Sequence, residues 1–179
     1  DGKLFAYSLA SAGSDWVEIF VMDAESKTLL SDHIKWVKFS GASWAPDNKG
    51  FYYSAYDAPK QGDALYSAQN TNQKVYYHRI GTSQSDDTLI YADPSRPLHY
   101  FHGGESEDGR WLFVTGSAGT SGTEILYKRK GEKRFKTLFE GFDYDYMILD
   151  CYEDTALILT NNDAPNYRLI AVDLTTREC

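Results

Sequence analysis

The chain is poor in cysteine, in positive charge and in long apolar runs, and each shortage removes a class of function. Its two cysteines, Cys151 and Cys179, fit no zinc or thioredoxin spacing, so neither a metal nor another cofactor is expected. Eighteen Lys and Arg stand against 26 Asp and Glu, for a formal net charge of −8 and a pI of about 4.9. The phosphate neutralisation that drives nucleic-acid binding therefore has no source. The single basic cluster, Lys128 to Lys136, contains Glu132 and sits between strand-like runs, so it reads as a solvated turn. No apolar stretch approaches the ~18 residues of a membrane span. The sequence opens on Asp1-Gly2 with no leader-like segment, and both ends are expected to be cut points. Sustained helical periodicity is missing. So are a Gly-X-Ser-X-Gly nucleophile elbow and a phosphate-cradling glycine loop, and a self-contained serine hydrolase is excluded.

Aromatic side chains are abundant instead: 14 Tyr, 9 Phe and 4 Trp within a composition that is 42% hydrophobic. That is enough apolar surface for a sizeable core, and aromatics favour half-buried, pleated surfaces, which predicts an all-β chain.

The aromatics also recur. A turn containing Asp followed by an apolar strand occurs at Asp1 to Tyr7, Pro46 to Tyr53, Ser106 to Phe113 and Glu153 to Leu159, with Asp1, Asp47, Asp108 and Asp154 spaced 46, 61 and 46 residues apart. Second strands are predicted at Trp16 to Asp23, Lys74 to Gly81, Glu124 to Gly131 and Tyr167 to Asp173. Third strands are predicted at Lys27 to Leu30, Thr88 to Ala92 and Phe135 to Phe139. Connecting strands at Lys35 to Ser43, Leu98 to Gly103 and Tyr144 to Leu149 would be the innermost of each unit. Short strands repeating at ~40–50 residues predict four-stranded antiparallel β-propeller blades. The units are 1–34, 35–97, 98–143 and an incomplete 144–179, so the fold class is all-β, a partial propeller of about three blades plus a fragment. Such an open arc leaves edges that invite self-association. A strictly monomeric species at high concentration would count against this.

At this point the sequence resembles a known family. Gly13-Ser14-Asp15-Trp16, Val37-Lys38-Phe39-Ser40 with Trp44, and Gly50 to Tyr56 are similar in order and spacing to the prolyl oligopeptidase propeller. So are Asn72 to Thr82 with Gln84, Ser85 and Asp87, then Gly141 to Tyr146, then Pro165 to Ile170. The resemblance spans the chain. It implies a seven-bladed propeller capping an α/β-hydrolase domain whose Ser, Asp and His cleave short peptides after proline. That domain, and hence every catalytic residue, lies outside these 179 residues, so the chain alone is not expected to be an enzyme. The implied partners are short proline-containing peptides and the hydrolase domain. Relatives occur in the cytoplasm and in the bacterial periplasm, which leaves the compartment open.

The resemblance also places site residues. Phe39 matches an aromatic lining the pocket for the residue two positions before the scissile proline, and an apolar wall would suit a small side chain there. The residue pattern alone favours inner-strand packing for Phe39, and the resemblance brings the pocket reading level with it. Tyr100 falls at another apolar pocket position. Ser117 and Thr120 fall where mammalian-like members carry Arg and Cys, so the Arg contact is missing and Gly116 to Gly122 reads as a flexible hairpin loop. The segment 56–72, with Tyr56, Pro59, Gly62, Tyr66 and Asn72, corresponds to a lid near the active site; as sequence it could equally be a tolerated surface insertion.

Other chemistry is set aside. Asp143 and Asp145, with Glu140, suggest a glycosidase pair. However, Asp143-Tyr144-Asp145-Tyr146 alternates like a strand with both carboxylates on one face. His33, His78, His99 and His102 are scattered, and His99 with His102 would not share a strand face. The competing function is a propeller used only to bind a protein or ligand, with no peptidase attached.

Overall fold

The computed structural model describes residues 2–11, 13–59 and 70–178. Among them there is no α-helix, and every sheet pairing is antiparallel. The chain divides into two units, Asp1–Leu98 and His99–Cys179.

The first unit is one sheet with the order β1 (Leu4–Ala10), β2 (Trp16–Asp23), β3 (Leu29–Lys38), β5 (Gly50–Ala55), β6 (Lys74–Arg79), β7 (Thr88–Ala92); the short β4 (Ser43–Trp44) pairs with β5 off this path. The sequence pattern predicts separate strands at 27–30 and 35–43, but the structure runs a single strand through both. Two irregularities let it do so. Met22 faces Leu29 while Phe20 faces His33, and Ile19 faces Ile34 while Val17 faces Val37, so β3 carries extra residues at each step. Trp36, at φ 61, is one of them. Bulges of this kind bend a strand and raise its twist, and β3 stays paired with β2 through Lys38 while Val37 also meets Ala55 of β5. β4 then takes over, facing Tyr52 and Phe51.

Every residue of β5 is buried, and Phe51, Tyr53 and Ala55 join Ile19, Val21, Ile34 and Val37 in the core of this unit.

The second unit holds two sheets, β8 (Tyr100–Glu105), β9 (Trp111–Ser117), β10 (Glu124–Arg129), β11 (Lys136–Phe139) and, apart from these, β12 (Tyr146–Tyr152), β13 (Thr155–Thr160), β14 (Arg168–Asp173). A four-stranded meander followed by a three-stranded one is the pattern of a whole unit and an incomplete one. Period-two alternation places Ala156, Ile158 and Thr160 of β13 inward. Ala156 and Ile158 pack with Trp111, Ile125 and Tyr127 of the neighbouring sheet. Buried polar contacts fix this packing: Tyr127 donates to the Leu174 carbonyl at 3.0 Å, and Trp111 Nε1 to that of Glu153 at 2.8 Å. The other face of the last sheet exposes Met147, Leu149, Leu157 and Leu169.

Candidate functional site

Phe39 follows β3 directly. Its φ of 54 is uncommon for a non-glycine residue and turns the chain out of the strand. The residue is 52% exposed, so it is not core packing. Beside it stands an aromatic and cationic group. Lys38 Nζ lies 5.2 Å from the Phe39 ring and 5.5 Å from that of Trp16, and pairs with Asp15 at 3.4 Å. Trp16 makes edge-to-face contacts with Trp36 at 6.0 Å and with Tyr56 at 5.8 Å.

β5 and β6 pair as far as Ala55 and Lys74, and the described residues 56–59 and 70–73 lead out of and back into these strands. These stems are pinned. Tyr56 is buried and donates its N–H to the Trp36 carbonyl at 3.0 Å. Asp57 accepts from Lys74 Nζ at 2.5 Å, and this hydrogen bond raises the lysine pKa. Asn72, at φ 62, donates to the Pro97 carbonyl at 2.7 Å. Buried Gln73 donates to the carbonyl of Lys38 at 3.0 Å, tying the loop base to the residue before Phe39. Pro59 is half-buried. Gly62 and Tyr66 lie outside the described residues.

The remaining predicted residues lie in the second unit. Tyr100 and Ser117 face each other across β8 and β9, and Thr120 is exposed in the turn that follows. That turn ends against the segment before β12. Gly122 N–H donates to Asp145 Oδ1 at 2.6 Å, and Thr123 N–H to the Tyr144 carbonyl at 2.9 Å. Asp145 Oδ2 accepts from Tyr167 at 2.6 Å and from Asn161 at 3.3 Å. The Tyr167 hydrogen bond, followed by that of Gly122, lowers the Asp145 pKa. The alternation predicted for residues 143–146 is therefore corrected: Asp143 and Asp145 belong to a bend after Gly141, at φ 88, and the strand begins at Tyr146. Asp145 is occupied as a hydrogen-bond acceptor for two neighbouring loops.

Residues 1–178 match the family described as prolyl oligopeptidase, N-terminal beta-propeller domain. The chain belongs to this family. A prolyl endopeptidase of Elizabethkingia meningoseptica is 41% identical over 170 residues, which are 94% of this chain and 24% of that protein. Prolyl oligopeptidase A of Galerina marginata is 32% identical, covering 97% of this chain and 26% of the relative. Among solved structures, prolyl oligopeptidase B from Galerina marginata bound to a 35mer hydrolysis and macrocyclization substrate superposes with a TM-score of 0.87 at 30% identity, over 98% of this chain and 26% of that one. The chain thus spans about a quarter of the length of these relatives. Its sheets are those of a partial prolyl oligopeptidase propeller.

One cluster in this propeller chain escapes a reading of the sequence. His78, in β6, is fully buried between Asp87, 2.7 Å from Nδ1, and Asp32, 2.9 Å from Nε2; both carboxylates are 1% exposed. Tyr53 donates to Asp87 at 2.7 Å and the Gly81 N–H to Asp32 at 2.6 Å. Burial disfavours the imidazolium, but the hydrogen bonds its ring nitrogens donate to Asp87 and Asp32 outweigh it and raise the His78 pKa above 6.5. Burial, together with its bond to Asp87, raises that of Tyr53. With no exposed member, this cluster ties the segment after β6 beneath β3 and offers nothing to a substrate. The signal in the sequence was the run from Lys74 to Asp87, which carries both His78 and Asp87 but not Asp32. Among the described residues, no three His, Cys, Asp or Glu side chains are grouped to hold a metal ion.

Proposed function

We propose that this chain is the non-catalytic, substrate-gating propeller portion of a serine endopeptidase that cleaves short peptides after proline. The observation that carries the reading is the exposed Phe39, whose neighbour Lys38 accepts at its carbonyl from Gln73, the residue that closes the 56–72 segment. An apolar wall next to a lid suits a site that accepts a small side chain and excludes folded proteins. Phe39, Tyr100, Ser117 and Thr120 are its substrate-facing residues on this reading, and 1–34, 35–97, 98–143 and 144–179 are its blade units. The names of the relatives, prolyl endopeptidase and prolyl oligopeptidase, support the chemistry. The partners are short proline-containing peptides, the α/β-hydrolase domain of the same polypeptide and, where that domain is missing, a second copy meeting open blade edges. No helix among the described residues is long and apolar enough to cross a membrane.

The test is turnover of a prolyl-amide reporter by the full-length polypeptide that carries this chain, with and without residues 60 to 70. Deletion is expected to change KM for short peptides severalfold and to admit longer ones. Unchanged turnover and unchanged size selection would remove the lid from the reading. A full-length polypeptide that cleaves no prolyl amide would favour a propeller used purely for binding.

A further inference from the structure

The turn bearing Thr120 is joined to its neighbours by more than the β9–β10 ladder. Gly122 is buried, and a Cβ there would lie 1.8 Å from the Phe142 carbonyl oxygen, so the two segments are in direct backbone contact. Thr123 Oγ1 donates to the Tyr146 carbonyl at 2.8 Å and accepts from the Tyr146 N–H at 2.6 Å. At the centre of this contact is Asp145. Its Oδ1 takes the Gly122 N–H, its Oδ2 takes Tyr167 and Asn161, and its own N–H donates to Asn161 Oδ1 at 2.8 Å. A carboxylate that accepts an N–H and an O–H at 2.6 Å makes charge-assisted bonds, stronger than those a neutral amide could offer. A neutral amide at this position would also present one acceptor atom where two are used.

We propose that Asp145 is a positioning residue: by gripping Gly122 on one side and Tyr167 on the other, it holds the turn 118–122 in the geometry that presents Ser117 and Thr120 to substrate. The substrate half of this statement rests on the function proposed above. The grip itself rests on the contacts alone. Asp145 touches no substrate; it acts through the turn.

The experiment uses the full-length polypeptide carrying Asp145→Asn, with Tyr167→Phe as a milder variant that removes one donor and leaves the carboxylate. Hydrogen exchange is followed by mass spectrometry in a peptide spanning 118–124 and in a control peptide within β10, and KM and kcat are measured for a prolyl-amide peptide. Asp145→Asn is expected to accelerate exchange in 118–124 by about tenfold or more, the loss of one charge-assisted bond, with the β10 control unchanged. KM should rise with kcat held, and Tyr167→Phe should move both readouts less. Unchanged exchange at 118–124, or acceleration shared equally by β10, overturns the proposal. Accelerated exchange with unchanged KM supports the grip and overturns the assignment of Ser117 and Thr120 as substrate-facing.

Discussion

Replacing His78 with glutamine removes the imidazole that stands between two buried carboxylates. The imidazole is fully buried and Asp32 and Asp87 are 1% exposed, so water cannot replace it without opening the sheet. Each ring nitrogen makes a charge-assisted bond, at 2.7 and 2.9 Å, and removing one partner from a buried ion pair costs about 3–5 kcal/mol. Glutamine is neutral and carries a single donor nitrogen where the imidazole places two on opposite sides, so the aspartates keep only the Tyr53 and Gly81 donors with no positive charge between them. A loss of that size is therefore expected near pH 6 in urea unfolding followed by tryptophan fluorescence, with Trp16, Trp36 and Trp44 reporting from the same unit. The pH dependence has a defined sign. Because the folded pKa of His78 lies above 6.5, its ionisation stabilises the fold fully below 6.5, and that contribution disappears as pH rises through the folded value. The gap between wild type and His78→Gln should accordingly be widest near pH 6 and narrow as the solution turns alkaline. A loss under about 1 kcal/mol, or a gap that widens with pH, would refute the charged-sandwich reasoning.

Two further outcomes follow from single residues. Gly122→Ala places a methyl group 1.8 Å from the Phe142 carbonyl oxygen at a φ of +77, so it should cost more than about 2 kcal/mol in thermal unfolding; a neutral effect would mean that the two loops are not in contact. Burial first, and then Asp108, Asp150 and Asp154, push the Cys151 thiol up to about 12. Iodoacetamide at pH 8 should leave Cys151 unmodified until denaturant is added, and rapid labelling of the native chain at this residue, mapped by peptide mass, would contradict its burial.

The strands most legible in the sequence are those bounded by turns that carry their own hydrogen bonds. β2 and β7 have the bounds predicted for them, and β6 and β10 end two residues early, before Gly81 and Gly131 at φ 81 and 94. The Asp turns are equally local: Asp23 accepts from Ser26 N–H, Asp47 from Lys49 N–H, Asp108 from Arg110 N–H and Asp173 from Thr175 N–H. What the pattern hides is decided at a distance. Nothing adjacent to Trp36 announces a left-handed residue inside a strand, because that conformation is imposed by β2 on one side and β5 on the other. Asp145 alternates with tyrosines as a strand residue would, yet acceptors wanted by Gly122 and Tyr167, each more than 20 residues away, hold it in a bend. Asp32 sits 46 residues from His78, so the buried triad has no local spacing to detect. For the candidate site, the resemblance supplied the positions and the structure supplied their setting. Phe39 could be read as buried or exposed until its φ and its place after β3 were known.

Since β3 serves β2 with most of its length and β5 with its end, residues 1–98 form a single piece of cloth rather than two panels sewn at a seam. Removing one residue near Trp36 would turn Ile34 or Val37 to the wrong side and misalign partners on both flanks. Anyone recombining segments among relatives should therefore exchange this stretch whole and place crossovers in turns such as that after Lys130, where the solvated chain can absorb a mismatch.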